Sequence, residues 1–162
     1  MLPTLEKTVA FIQEAHSGQT RRNGVPYFTH PIEVMNNLYR AFDDVTDEEK
    51  HAALLHDVVE DTAYTINDLY DMGYSKEVLD IVHLVSCDVP EMKHMPYADR
   101  VQKIIDSGNV SAMKVKYADN MHNISDTPTP KQLDKYGKTM KMLEDALRFK
   151  TIMRPMKGAK AA

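Results

Sequence analysis

Ala52-Ala53-Leu54-Leu55-His56-Asp57-Val58-Val59-Glu60-Asp61-Thr62 is the stretch from which the rest of the chain can be read. Ala52, Ala53, Leu54, Leu55, Val58 and Val59 leave little polar circumference on a helix, so the spacing predicts a helix inside the core. Four ionisable residues, His56, Asp57, Glu60 and Asp61, crowd its end. Burying such groups is costly unless they are paired or bind a metal. On one continuous helix, Glu60 and Asp61 follow His56 and Asp57 by three to five positions, on the same or neighbouring faces. Acids are disfavoured at a helix C-terminus, where the dipole is negative, so their presence there points to a function. An imidazole beside a carboxylate suits a divalent ion. A further carboxylate suits a general base acting on a water that the ion acidifies.

Outward from this helix, the same periodicity recurs. Thr46 and Glu49 form a capping box at its start. Upstream, Leu5, Val9, Ile12 and His16 share one helical face behind Thr4 as N-cap. A loop from Ser17 to Thr29 contains Gly18, Gly24 and Pro26 and carries Arg21 and Arg22. Pro31 suits the first turn of a second helix with Ile32, Met35 and Leu38 inward. Downstream, Thr65–Met72 reads as a short helix ended by Gly73. Ser75 caps the next, with Val78, Leu79, Ile81, Val82 and Val85 inside. Ser86–Pro96 reads as a polar loop. Helices over Pro96–Ser107 and Asn109–Ser125 are parted by Gly108, and the second has Val110, Met113, Tyr117 and Met121 as its apolar residues. Thr129-Pro130-Lys131-Gln132 opens a last helix. No segment alternates with period two. The expected fold is all-α, a bundle of about seven to eight helices with no substantial sheet.

Composition agrees with one soluble domain. The 162 residues are 43% hydrophobic and 27% charged, an ordinary globular profile. We place the domain at residues 1–150 and a poorly ordered basic tail at 151–162. After Asp145 the chain carries Arg148, Lys150, Arg154, Lys157 and Lys160 without an acid. A net charge of −4 argues against a dedicated DNA binder, which needs a basic surface. The single cysteine, Cys87, has no internal partner, the N-terminus lacks a signal-peptide pattern, and no apolar run is long enough to span a membrane. The expectation is a cytoplasmic protein that binds neither DNA nor membrane; the oligomeric state is left open.

One His-Asp pair gives two ligands, and a bound transition metal wants more. His30, before Pro31, and Asp119, in Lys116-Tyr117-Ala118-Asp119-Asn120-Met121-His122-Asn123, are candidates. The order His30, His56-Asp57, Asp119 resembles the ligand order of HD-domain metal-dependent phosphohydrolases. Three blocks narrow the resemblance to the hydrolase domain of the RelA/SpoT family and its small stand-alone relatives. They are Ala15-His16-Ser17-Gly18-Gln19-Thr20-Arg21-Arg22-Asn23-Gly24-Val25-Pro26-Tyr27-Phe28-Thr29-His30-Pro31, the His-Asp-x-x-Glu-Asp signature of Ala52–Thr62, and Lys116–Asn123.

The resemblance implies an HD-domain bundle that hydrolyses guanosine tetra- and pentaphosphate, releasing the 3′-diphosphate with the help of one manganese ion. It implies His30, His56, Asp57 and Asp119 as metal ligands, and Glu60 and Asp61 as the acid pair that activates water. Arg21, Arg22, Asn23, Lys116 and Asn123 would meet the nucleotide. A mixed nitrogen and oxygen donor set accommodates manganese without excluding zinc, iron or cobalt. His16, His51, His83, His94 and His122 match no ligand position and are expected in core or surface roles.

Three departures bear on the substrate. Asn120 stands where relatives often carry Arg or Lys, Asp126 where many carry Thr, and Leu84-Val85-Ser86-Cys87-Asp88 replaces an apolar-Thr-basic run. A pocket with one base fewer and one acid more could prefer a less charged phosphate ester. Two other readings therefore stay open. One is the same chemistry on another nucleotide, such as the 2′-phosphate of NADPH or a deoxynucleoside 5′-monophosphate. The other is a nucleotide sensor without catalysis. The length accommodates the hydrolase alone, so degradation without synthesis is expected.

Overall fold

A computed structural model describes residues 1–86 and 90–152. At its centre is α3 (Asp47–Leu55), in which Ala52, Ala53, Leu54 and Leu55 expose no surface. Thr46 caps it: its hydroxyl accepts from the Glu49 amide, and the Glu49 carboxylate accepts from the Thr46 amide. Before α3 come α1 (Leu5–Ala15) and α2 (Thr29–Ala41). After it come α4 (Val58–Asp61), α5 (Ile66–Asp71), α6 (Lys76–Val85), α7 (Pro90–Lys93), α8 (Tyr97–Asp106), α9 (Val110–Ser125) and α10 (Pro130–Ile152). The eight longer helices match the expected all-α bundle; α4 and α7 are single turns. Among the described residues there is no strand, only an isolated bridge between Thr20 and Pro26. No described helix is long and apolar enough to cross a membrane.

The packing follows from the apolar faces. α3 lies against α1, α2, α6 and α9, and α9 is flanked by α2 and α10. Val78, Leu79, Ile81, Val82 and Val85 of α6 are buried as their spacing predicts. On α2 the deepest residues are Val34 and Leu38, while Ile32 and Met35 are half-buried around them. On α9, Met113 is core together with Ala112, Val115 and Ala118, whereas Val110, Tyr117 and Met121 are half-buried.

Two expectations need correction. The helix read as running on through Val58 and Val59 is broken at His56 and Asp57, so α3 and α4 are separate. One tertiary and one local bond stabilise the break: the His56 carbonyl accepts from the Ser86 hydroxyl at 2.9 Å, and the His56 ring N–H donates to the Ala53 carbonyl at 2.8 Å. Glu60 and Asp61 therefore belong to a fresh single turn, and the dipole penalty inferred for a long helix does not apply to them. The region read as a polar loop after Ser86 contains the turn α7, which Pro90 opens. Cys87 and Asp88, and tail residues 153–162, lie outside the described residues; α10 continues through Ile152.

Candidate functional site

The site forms where the α3–α4 break meets the first turn of α2 and the middle of α9. His30 comes from α2, His56 and Asp57 from the break, and Asp119 from α9. One ligand atom each of His30, His56 and Asp57 lies within 4.8 Å of the others. His30 Nε2 is 3.4 Å from Asp57 Oδ2 and 3.2 Å from Asp119 Oδ1. His56 Nε2 is 3.0 Å from Asp57 Oδ2 and 3.8 Å from Asp119 Oδ1. His30 and His56 are only 2% exposed.

His56 tests whether this set fits a cation. Its Nδ1 faces the Ala53 carbonyl, which places the N–H there and leaves Nε2 with a lone pair. That Nε2 is fully buried and makes no well-directed hydrogen bond, although the Asp57 and Asp119 carboxylates lie 3.0 and 3.8 Å from it. Such an imidazole nitrogen facing two carboxylates fits a divalent ion. Without the ion, burial would lower the His56 pKa, but Asp57 and Asp119 outweigh it and raise it to about 9. Burial would raise Asp57 and Asp119; the imidazoles beside Asp57, and Lys116 with the imidazoles beside Asp119, hold both carboxyls below the usual range.

The surrounding groups hold these four in place. Asp119 Oδ2 accepts from Lys116 Nζ at 3.0 Å and Oδ1 from Asn123 Nδ2 at 2.7 Å. Burial penalises charge on Lys116, but Tyr97 and Asp119 outweigh this and raise its pKa well above normal. Two residues that sequence reading left without a role also belong here. The Tyr27 hydroxyl donates to Asp57 Oδ2 at 2.7 Å and lies 3.1 Å from Asp61 Oδ2, bridging the cluster to the acid pair. His122, expected in a core or surface role, sits with Nδ1 2.6 Å from His30 Nδ1 and so orients that ring. Its place one turn after Asp119 was the available signal.

A cleft of about 220 Å³ opens over the cluster. Arg21, Tyr27, His30, Asp57, Glu60, Asp61, Lys116, Asp119 and Asn123 line it, together with Leu84, Val85, Tyr97, Arg100 and Tyr136. These last residues come from α6, α8 and α10, which no local motif connects to the His/Asp cluster. The Asp61 carboxyl is raised by burial and by the charge of Asp57. A second cleft of about 230 Å³ shares Arg21, Tyr27 and Asn123 and adds Thr20, Arg22, Asp126 and Gln132. Arg22 donates to Gln132 Oε1 at 2.9 Å. Asn23 lies outside both clefts, and its amide donates to Asp126 at 3.3 Å. Asn120 also lies off the cleft: it accepts from Tyr97 and donates to Thr139, joining α9 to α8 and α10. Its substitution for a base is thus a packing feature and takes no base from the cleft wall.

Comparison with known proteins agrees with this geometry. The chain matches the HD domain over residues 8–142. It is 31% identical over 148 residues, 88% of its length, to a probable GTP pyrophosphokinase of Mycobacterium leprae, covering 18% of that protein. It is 34% identical over 126 residues, 74% of its length, to the bifunctional (p)ppGpp synthase/hydrolase SpoT of Escherichia coli K12, covering 17% of it. The chain thus spans less than a fifth of these curated relatives. A solved structure described as a metazoan ortholog of SpoT that hydrolyses ppGpp superposes with a TM-score of 0.70 at 27% identity, over 91% of this chain and 88% of that one. With a His/Asp cluster suited to a divalent ion inside an all-helical bundle, and a match across most of its length, the chain belongs to the HD-domain family.

Proposed function

We propose that this chain hydrolyses guanosine 3′,5′-bis(diphosphate) and its pentaphosphate counterpart, releasing the 3′-diphosphate as pyrophosphate. The observation that carries hydrolysis is the buried His56 Nε2, without a hydrogen bond and facing Asp57 and Asp119, two carboxylates that line one cleft with Glu60 and Asp61. The substrate is supported by similarity to SpoT over three-quarters of the chain and to the metazoan ppGpp hydrolase over nearly all of it.

His30, His56, Asp57 and Asp119 would hold one ion, for which we propose manganese. Such an ion supplies Lewis-acid polarisation of a phosphate oxygen and acidification of water. The chain's own groups do the rest. Glu60 and Asp61 take the proton of the attacking water, and the raised carboxyl of Asp61 brings it closer to the working pH. Water oxygen bonds to the phosphorus next to the ribose 3′ oxygen, that phosphorus–oxygen bond breaks, and the 3′ oxygen takes the proton held by the acid pair and leaves as a hydroxyl. Tyr27 keeps Asp57 and Asp61 in register. Lys116, Arg21 and Asn123 line the cleft where anionic groups of the substrate would lie, with Arg22 in the adjoining one; Asn23 contributes through Asp126.

The test is a nucleotide panel with and without manganese, scored for pyrophosphate and orthophosphate separately. Pyrophosphate from the guanosine tetraphosphate, dependent on the divalent ion, is expected. Orthophosphate from NADPH or a deoxynucleoside monophosphate, with no pyrophosphate from the alarmone, would overturn the substrate assignment.

A further inference from the structure

Arg21 does not face the clefts as an unengaged cation. Its Nε and Nη2 both donate to Asp126 Oδ2, at 2.9 and 2.6 Å, and the two side chains are only 13% and 16% exposed. Asp126 Oδ1 accepts from Asn23, so both carboxylate oxygens are used. The pair sits on the wall shared by the two clefts: Arg21 borders both, while Asp126 borders the second. The guanidinium also lies over the Tyr27 ring, 5.9 Å from its centre, and Tyr27 in turn holds Asp57 and Asp61.

Backbone geometry shows that Asp126 is held in this place. α9 ends at Ser125, and the Asp126 amide still donates to the His122 carbonyl. The next residue, Thr127, has φ +43°, a left-handed conformation that a β-branched residue rarely adopts. The chain turns sharply just beyond the carboxylate that meets Arg21.

We propose that Asp126 is a charge-selectivity residue, which engages Arg21 at the shared wall and thereby weakens binding of the more heavily phosphorylated nucleotides. A guanidinium paired with a carboxylate contributes no net charge, so an arriving phosphate must share or displace the pair. The carboxylate itself repels that phosphate, and partial burial leaves the repulsion less screened than at an open surface. The penalty therefore grows with the number of phosphates. The inference rests on the phosphohydrolase reading above for its kinetic arm only.

The experiment compares the parent with D126N and D126T on guanosine 3′-diphosphates carrying one, two or three 5′-phosphates, in manganese, at low and raised salt. D80N, which removes a charge from the exposed Lys76–Asp80 pair on α6, controls for net charge. Both Asp126 variants should lower KM, about tenfold for the 5′-triphosphate and about twofold for the monophosphate, with much smaller changes in kcat and a gain that shrinks with salt. D80N should move none of these. A KM that is unchanged, raised, or lowered equally across the series would overturn the proposal, as would a loss of kcat alone, which marks a purely structural tie. Calorimetric binding of inorganic pyrophosphate gives a second readout independent of turnover. Tighter binding by D126N supports the proposal even if no alarmone is cleaved, in which case only the function proposed above fails; equal or weaker binding overturns it.

Discussion

At the residue scale, the site divides its histidines and acids by what each atom touches. His56 presents a buried lone pair, while Glu60 faces the cleft one turn later. This division predicts two kinds of loss. His56→Ala or Asp57→Ala should abolish both metal binding and hydrolysis. Glu60→Gln should keep the metal and lower kcat by roughly 10²–10⁴-fold, the usual contribution of a general base. Metal content by atomic absorption alongside single-turnover rates checks this, and equal metal loss in all three variants would place Glu60 among the ligands instead. His56, Asp57 and the acid pair after them were legible because they are nearly contiguous. Tyr27 was not: a phenol carries no signal until the fold brings it against Asp57, and His122 offered only its place one turn after Asp119.

At the scale of the elements, the caps follow sequence closely because they are local. Thr4, Thr46, Thr65, Ser75 and Asn109 all accept from the amide three residues on. Glu49 does more than its capping box suggests. It is 1% exposed, accepts from the Ser111 hydroxyl at 2.8 Å, and lies 3.2 Å from Lys114 Nζ. It thereby ties α3 to α9, the two helices that carry His56 and Asp119. Glu49→Ala should strand a buried ammonium, with Asp44 as its remaining carboxylate. The expected loss is about 3 kcal/mol, or roughly 6–12 °C in Tm for a domain of this size. Glu49→Gln, which keeps the cap acceptor, should lose less; thermal unfolding followed by circular dichroism measures both. The break between α3 and α4 lacked a local signal, because the Ser86 hydroxyl that takes the His56 carbonyl is 30 residues away in the chain.

For the whole molecule, one buried histidine links stability to pH away from the His/Asp cluster. His51 is 2% exposed, its Nδ1 lies 3.0 Å from the Thr8 hydroxyl, and that hydroxyl is 2.8 Å from the Tyr74 hydroxyl. Burial lowers its pKa below the ordinary 6.5. The unfolded chain therefore takes up this proton before the folded one does. Stability should fall as pH drops below about 6.5, and level off only beneath the folded pKa. Urea titrations from pH 7 to 5 should show a shallower fall for His51→Gln than for the parent. An identical slope would mean that His51 titrates alike in both states.

What the sequence determined by itself is what depends on neighbours in the chain: helix starts, the apolar faces of α1 and α6, the all-helical class, and the adjacency of His56, Asp57, Glu60 and Asp61. Order along the chain and family resemblance were enough to join His30 and Asp119 to them. Tertiary structure alone decided the rest. It moved Asn120 off the cleft wall into the α8–α9–α10 interface, put Tyr27 against Asp57 and His122 against His30, and closed the cleft with α8 and α10. It also paired Arg21 with Asp126, 105 positions later. The physical reason is the range of the interactions. Caps and helical periodicity act over three or four residues, whereas an ion pair or a buried lone pair takes its meaning from whichever groups the packed helices bring within about 4 Å.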